Sequence, residues 1–127
     1  MSNMAVVVND NLTLEYDRTK DLPEHQAAYL EKLDNRFEQG IELQGEKIDQ
    51  PDIGQRAKYM ALSLMEGIIY QEDDKAAVSM AWLATRLPDL KQVKVLIDEQ
   101  GSHFDLIFDR EYQPQIAIDV SSLTLPK

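Results

Sequence analysis

Among side chains able to move a proton, attack a bond or hold a metal, this sequence offers two histidines, a scatter of serines and an excess of carboxylates. Their spacing decides which of these they can do. Cysteine is absent, which excludes thiol catalysis, disulfides and cysteine-based zinc sites together. Ser102 and His103 adjoin in Gly101-Ser102-His103, but neighbours on a strand point to opposite faces, so they cannot pair as nucleophile and base. The G-x-S-x-G signature of a strand–turn–helix nucleophile elbow is not found around them. His25 stands between Glu24 and Gln26 in the first turn of an expected helix, where a solvated side chain is expected. No catalytic residue is assigned, and the protein is expected not to be an enzyme.

His103 and Asp105 share one face of an expected strand, with Asp98 or Glu99 across the adjoining turn. Imidazole and carboxylate at that spacing are candidate ligands for a hard or borderline ion. No third ligand is spaced to complete the set, and the simpler expectation is the polar outer face of a hairpin, with no metal and no cofactor. The five glycines are isolated, and none forms a phosphate-cradling loop. Met60, Met65, Met80 and Trp82 fall at helical spacing and are expected in the core rather than around a ligand.

The acids form two groups. Residues 98–119 hold six acids (Asp98, Glu99, Asp105, Asp109, Glu111 and Asp119) against one base, Arg110. The first five are the candidate partner-binding residues, as the negative face of a sheet docking a cationic surface. The plainer role of such charges is to discourage edge-to-edge pairing. Glu66, Glu72, Asp73 and Asp74 cluster at a junction between helices, where Asp73 and Asp74 are expected to cap the second helix.

Across the chain, 23 acids oppose 13 Lys and Arg, a net charge of −10. The basic residues are scattered, so neither a nucleic acid nor an anionic membrane is an expected partner. A basic protein is the partner such a charge would steer. The N-terminal apolar run Met4–Val8 is too short for a signal peptide, and Met60 to Tyr70 is interrupted by Ser63, Glu66 and Gly67. A soluble, cytoplasmic protein is expected.

The elements that position these residues follow from periodicity. Ala5–Val8 and Leu12–Tyr16 flank Asn9-Asp10-Asn11, a turn sequence that tolerates positive φ, and read as a hairpin. Asp21-Leu22-Pro23-Glu24 predicts a helix start with Asp21 as cap, an apolar stripe of Ala27, Leu30, Leu33 and Phe37, and a stop at Gly40. Ile41 to Gln50 reads as a loop with a turn of helix. Asp49-Gln50-Pro51-Asp52 opens a second helix, with a stripe of Ile53, Ala57, Met60, Ala61, Leu64 and Ile68. Gly54 and Gly67 inside it predict close approach of another backbone. Ala76 to Leu87 is apolar nearly all round and stops at Pro88.

Beyond Asp89 the period changes to two. Val93, Val95 and Ile97, a turn over Glu99-Gln100-Gly101-Ser102, and Phe104, Leu106 and Phe108 predict a hairpin. Ile116, Ile118 and Val120 predict a third strand, with residues 121–127 as a C-terminal tail. The expectation is one α+β domain over residues 1–127, in the order ββ-α-α-α-βββ, with about three helices packed on one face of an antiparallel sheet.

The expected function is that of a small acidic protein–protein interaction or regulatory module. Wide apolar helix faces predict self-association as a homodimer or other homo-oligomer. One alternative is an inhibitor, immunity protein or nucleic-acid mimic masking a basic site. Another is a small-molecule binder or carboxylate-dependent enzyme with its pocket between helices and sheet.

Overall fold

Asn9 and Asp10 take left-handed backbone, φ 49° and 68°, and turn β1 (Met4–Val8) back onto β2 (Asn11–Tyr16). Paired positive φ matches the twist of the two strands. A computed structural model describes residues 3–113. The elements after that hairpin are α1 (Glu24–Phe37), β3 (Ile41–Leu43), β4 (Glu46–Ile48), α2 (Ile53–Ile69), α3 (Asp73–Arg86), β5 (Gln92–Asp98) and β6 (Gly101–Ile107). The class is α+β. The sequence-predicted strand at Ile116, Ile118 and Val120, and the tail at 121–127, lie outside the described residues.

The larger sheet has four strands in the order β2-β1-β5-β6. Its two hairpins are antiparallel, but β1 and β5 pair in parallel, Val6 beside Val93 and Val8 beside Val95. The wholly antiparallel sheet expected from sequence is corrected at that central pair. The helices between the two strands supply the long crossover that parallel neighbours require. The amide of Asn9 extends this ladder by one rung. Its Nδ2 donates to the Ile97 carbonyl at 3.2 Å, and its Oδ1 accepts from the Ile97 N–H at 2.8 Å.

The order among the described residues is ββ-α-ββ-α-α-ββ, which corrects the expected one. Ile41 to Gln50 contains a second, two-stranded sheet instead of a loop and a turn of helix. Gln44 and Gly45, φ 52° and 84°, make its turn. Leu43 is buried and Ile41 and Ile48 are half-buried. Strands of three residues are too short for a period of two to stand out in the sequence.

Two helix starts also differ from expectation, whereas that of α2 agrees with it. Pro23, not Asp21, precedes α1, with no side-chain cap. Asp73 and Asp74 lie within the first turn of α3, where they oppose the helix dipole without capping it. At α2, Asp52 and Gln55 form a reciprocal capping box. Gly67 meets the expectation of close approach. A β-carbon there would stand 2.8 Å from the Ala76 backbone nitrogen. Gly54 does not, since only an Asp52 carboxylate oxygen comes near, at 3.4 Å.

The core joins sheet to helices. Val6, Val93 and Val95 share one buried cluster with Leu30, Phe37, Leu64, Trp82 and Leu83. The opposite parity of the strands also carries buried residues, among them Ala5, Val7 and Gln92. Phe104 and Leu106 pack against the core, whereas Phe108 lies past the end of β6 and is exposed. No helix among the described residues is long and apolar enough to cross a membrane.

Candidate functional site

The site begins with the way α1 is fastened. Near its C-terminal end Asp34 accepts two sets of hydrogen bonds from α3. Trp82 Nε1 donates to Oδ1 at 2.8 Å, and Arg86 donates to Oδ2 from Nε at 3.1 Å and from Nη2 at 2.7 Å. Phe37 lies edge-on to both Trp82 and Tyr59, with ring centroids 5.6 Å apart in each case. The Arg56 guanidinium stacks 5.5 Å above the Phe37 ring, a cation–π contact. Each of these contacts falls in the last turns of α1.

Alongside the fastened end, a cleft of about 700 Å³ lies among the three helices, within the range of small-ligand sites. From α1 it is lined by Tyr29, Leu33 and Arg36, with His25 and Gln26 toward the N-terminal end. From α2 come Tyr59, Met60 and Ser63, and from α3 Asp74, Lys75, Val78 and the buried Ser79. Leu33, Met60, Ala77 and Val78 make the lining mainly apolar.

Charge is distributed unevenly along the cleft. At the α3 N-terminus Lys75 Nζ lies 2.8 Å from a Glu66 oxygen and 3.8 Å from Glu72. The hydrogen bond to Glu66 holds the Lys75 pKa above its ordinary value, against the smaller opposing effect of desolvation. Arg36, at the other end, has no ion-pair partner among the described residues.

His25, Ser63 and Asp74 all border the cleft, and these are the residue types of a nucleophilic triad. Among the described residues no hydrogen bond joins any two of them, and a nucleophile needs its base within hydrogen-bond reach. As it stands, the arrangement can enclose and orient a ligand.

The structure does not gather the acids that the sequence analysis singled out. Asp98 and Glu99 stand at the tip of the β5–β6 hairpin, where Asp98 pairs with Gly101. Asp109 and Glu111 lie past its base, where Gln92 pairs with Ile107. The span from tip to base is six residues, or about 20 Å at strand rise. Asp105, between them, faces Lys94 across the ladder, and Asp109 is paired with Arg110 at 3.1 Å. His103 and Asp105 are both exposed on one strand face, with His103 opposite Leu96. Among the described residues no group of three His, Asp or Glu converges as a metal site. Met60, Met65 and Trp82 are core residues, with Met80 half-buried beside them.

Sequence reasoning missed Tyr29, Arg36, Tyr59 and Ser63 as lining residues. The signal on α1 was a second stripe, His25, Tyr29, Leu33 and Arg36 at i, i+4, i+8 and i+11, beside the buried stripe of Leu30 and Phe37. A scan against protein-family models, a search of curated proteins and a search of solved structures each found no match.

Proposed function

We propose that this protein is a non-enzymatic interaction module that takes a protein partner in the cleft among α1, α2 and α3. The observation that carries this is the cleft itself. It is mainly apolar, bordered by two tyrosines, and built on helices rather than loops. Binding sites on rigid elements hold their geometry without a cost in ordering. The proposal takes the helices as a layer on one face of the four-stranded sheet, with the cleft on the layer's outer side. Strand alternation supports it, since Val93 and Val95 are buried with the helices while Lys94 and Leu96 are not fully covered.

The test is affinity capture from native cells, identified by mass spectrometry, with the intact chain and two variants. Ser63→Trp fills the cleft from a half-buried position, and Tyr29→Ala removes a ring that is 46% exposed. One protein retained by the parent and lost from both variants supports the proposal. Equal retention by all three places the partner elsewhere and defeats it.

Self-association is the second reading, and a separate observation favours it. Most of the apolar surface of α2 and α3 is covered within the chain, but Ile69 and Tyr70 adjoin at the end of α2 and are 36% and 71% exposed. Light scattering should then give the mass of a dimer, returned to monomer by Tyr70→Ser. A monomer at all concentrations would falsify this reading.

A further inference from the structure

We infer, on the proposal that the cleft receives a protein partner, that its occupant is an amphipathic α-helix of about three turns, cationic in its first half, lying with its N-terminus toward Asp74 and its C-terminus toward Arg36. Length is the first support. The stripe that α1 gives to the cleft runs from His25 to Arg36, eleven residues on, or about 16 Å of helix axis. An apolar trough of that length, floored by Leu33, Met60 and Val78, suits the i, i+4, i+7 side chains of one helix face.

Charge sets the direction. The two ends of the trough are distinct, because Asp34 near the end of α1 is tied to Trp82 and Arg86, whereas Asp74 and Lys75 are in the first turn of α3. From Asp74 to Trp82 is eight residues of α3, about 12 Å. At the Asp74 end the single ammonium of Lys75 is paired with both Glu66 and Glu72, and Asp74 adds a third carboxylate on the cleft lining. At the other end Arg36 stands without an opposing carboxylate among the described residues. A helix carries partial positive charge at its N-terminus and partial negative charge at its C-terminus, so the trough favours one of the two ways of laying it in. The net charge of −10 repels an acidic helix and draws in a basic one.

The test uses isotope-labelled full chain and a synthetic peptide of about four turns, with leucine along one face, lysine confined to its first half, glutamine beyond, and a free C-terminal carboxylate. A control of the same composition alternates leucine with polar residues. The expected result is saturable shifts of the Tyr29, Tyr59, Ser63 and Val78 amides by the first peptide and none by the control. A spin label at the peptide's N-terminus should broaden Asp74 and Lys75, and one at its C-terminus should broaden Arg36. Arg36→Ala and Asp74→Asn should each weaken binding by about two- to fivefold.

Equal shifts by both peptides, or shifts confined to the acidic β5–β6 hairpin, overturn the inference. Reversed broadening overturns its direction. Shifts of the same amides on raising protein concentration without peptide identify a second copy as occupant and overturn it too. If the peptide fails to bind while native capture is still abolished by Ser63→Trp, the helical occupant is wrong and the cleft remains the interaction site. If native capture also ignores Ser63→Trp, the underlying proposal fails with it.

Discussion

Asp34 accepts the hydrogen bond of the Trp82 indole N–H, at 2.8 Å, and Trp82 is wholly buried. One carboxylate on α1 thus satisfies a buried donor on α3 with one oxygen and pairs with Arg86 through the other. Asp34→Ala should destabilise the fold by about 1–3 kcal/mol, because it strands a buried N–H and removes the partner of a cation. Asp34→Asn keeps an acceptor for the indole and should cost less. Urea unfolding followed by tryptophan fluorescence measures both, and equal midpoints for the two variants would show that the indole contact contributes nothing.

The junction of α2 and α3 should respond in opposite senses at two neighbouring positions. Tyr70, Gln71 and Glu72 close α2 with the Glu72 N–H donating to the Gly67 carbonyl at 2.8 Å, and Gln71 takes φ 57° to allow it. Glycine is the natural residue for that left-handed position, so Gln71→Gly should stabilise by about 1 kcal/mol. Gly67→Ala brings a methyl group to about 3 Å from the backbone of Ala76. Forcing the helices apart should cost about 1–3 kcal/mol, more than the gain in helix propensity. Calorimetric melting should therefore rise for the first variant and fall for the second.

Arg18 closes the far end of α3 from outside the helix. Its guanidinium donates to the carbonyls of Ala84 at 3.2 Å, Leu87 at 3.0 Å and Leu90 at 2.6 Å. Burial lowers its pKa somewhat, yet an arginine stays charged. Arg18→Met should cost about 2–3 kcal/mol through lost charge-assisted bonds. Arg18→Lys should recover only part of this, because an ammonium cannot present the planar fork. Hydrogen exchange at Leu87 and Leu90 should quicken in both variants.

Asp17 provides a pH test. The Thr19 hydroxyl and N–H both donate to its Oδ1, at 2.5 and 2.9 Å. The hydroxyl bond, then the backbone bond, hold the carboxyl pKa below its ordinary 3.8. Because the folded value is the lower one, the turn's contribution is present above 3.8 and lost as pH falls through the folded value. Carbon-detected NMR titration should find the Asp17 midpoint depressed, and Thr19→Ala should move it back toward 3.8. An unchanged midpoint in the variant would remove the hydroxyl as the cause.

What could be read from sequence tracks the length over which a pattern repeats. The α2 stripe from Ile53 to Ile68 and the alternation of Val93, Val95 and Ile97 run long enough to declare helix and strand, and both elements are present. The three-residue strands at Ile41–Leu43 and Glu46–Ile48 repeat nothing, so the second hairpin was missed. Parallel pairing of β1 with β5 leaves no local trace either, because it depends on where distant segments meet. The cleft was hidden for a related reason. Tyr29 and Arg36 look like any solvated helix face until Tyr59 and Val78 arrive opposite them.

The union of β1 with β5 bears on how the chain is made. Val6 and Val7 leave the ribosome before Val93 and Lys94 and stay unpaired along that edge until α1, α2 and α3 have been synthesised. The nascent hairpin therefore exposes an adhesive valine ribbon until β5 is made. Whatever shields that ribbon in the interval, whether chaperone or the forming helices, governs the yield of native protein.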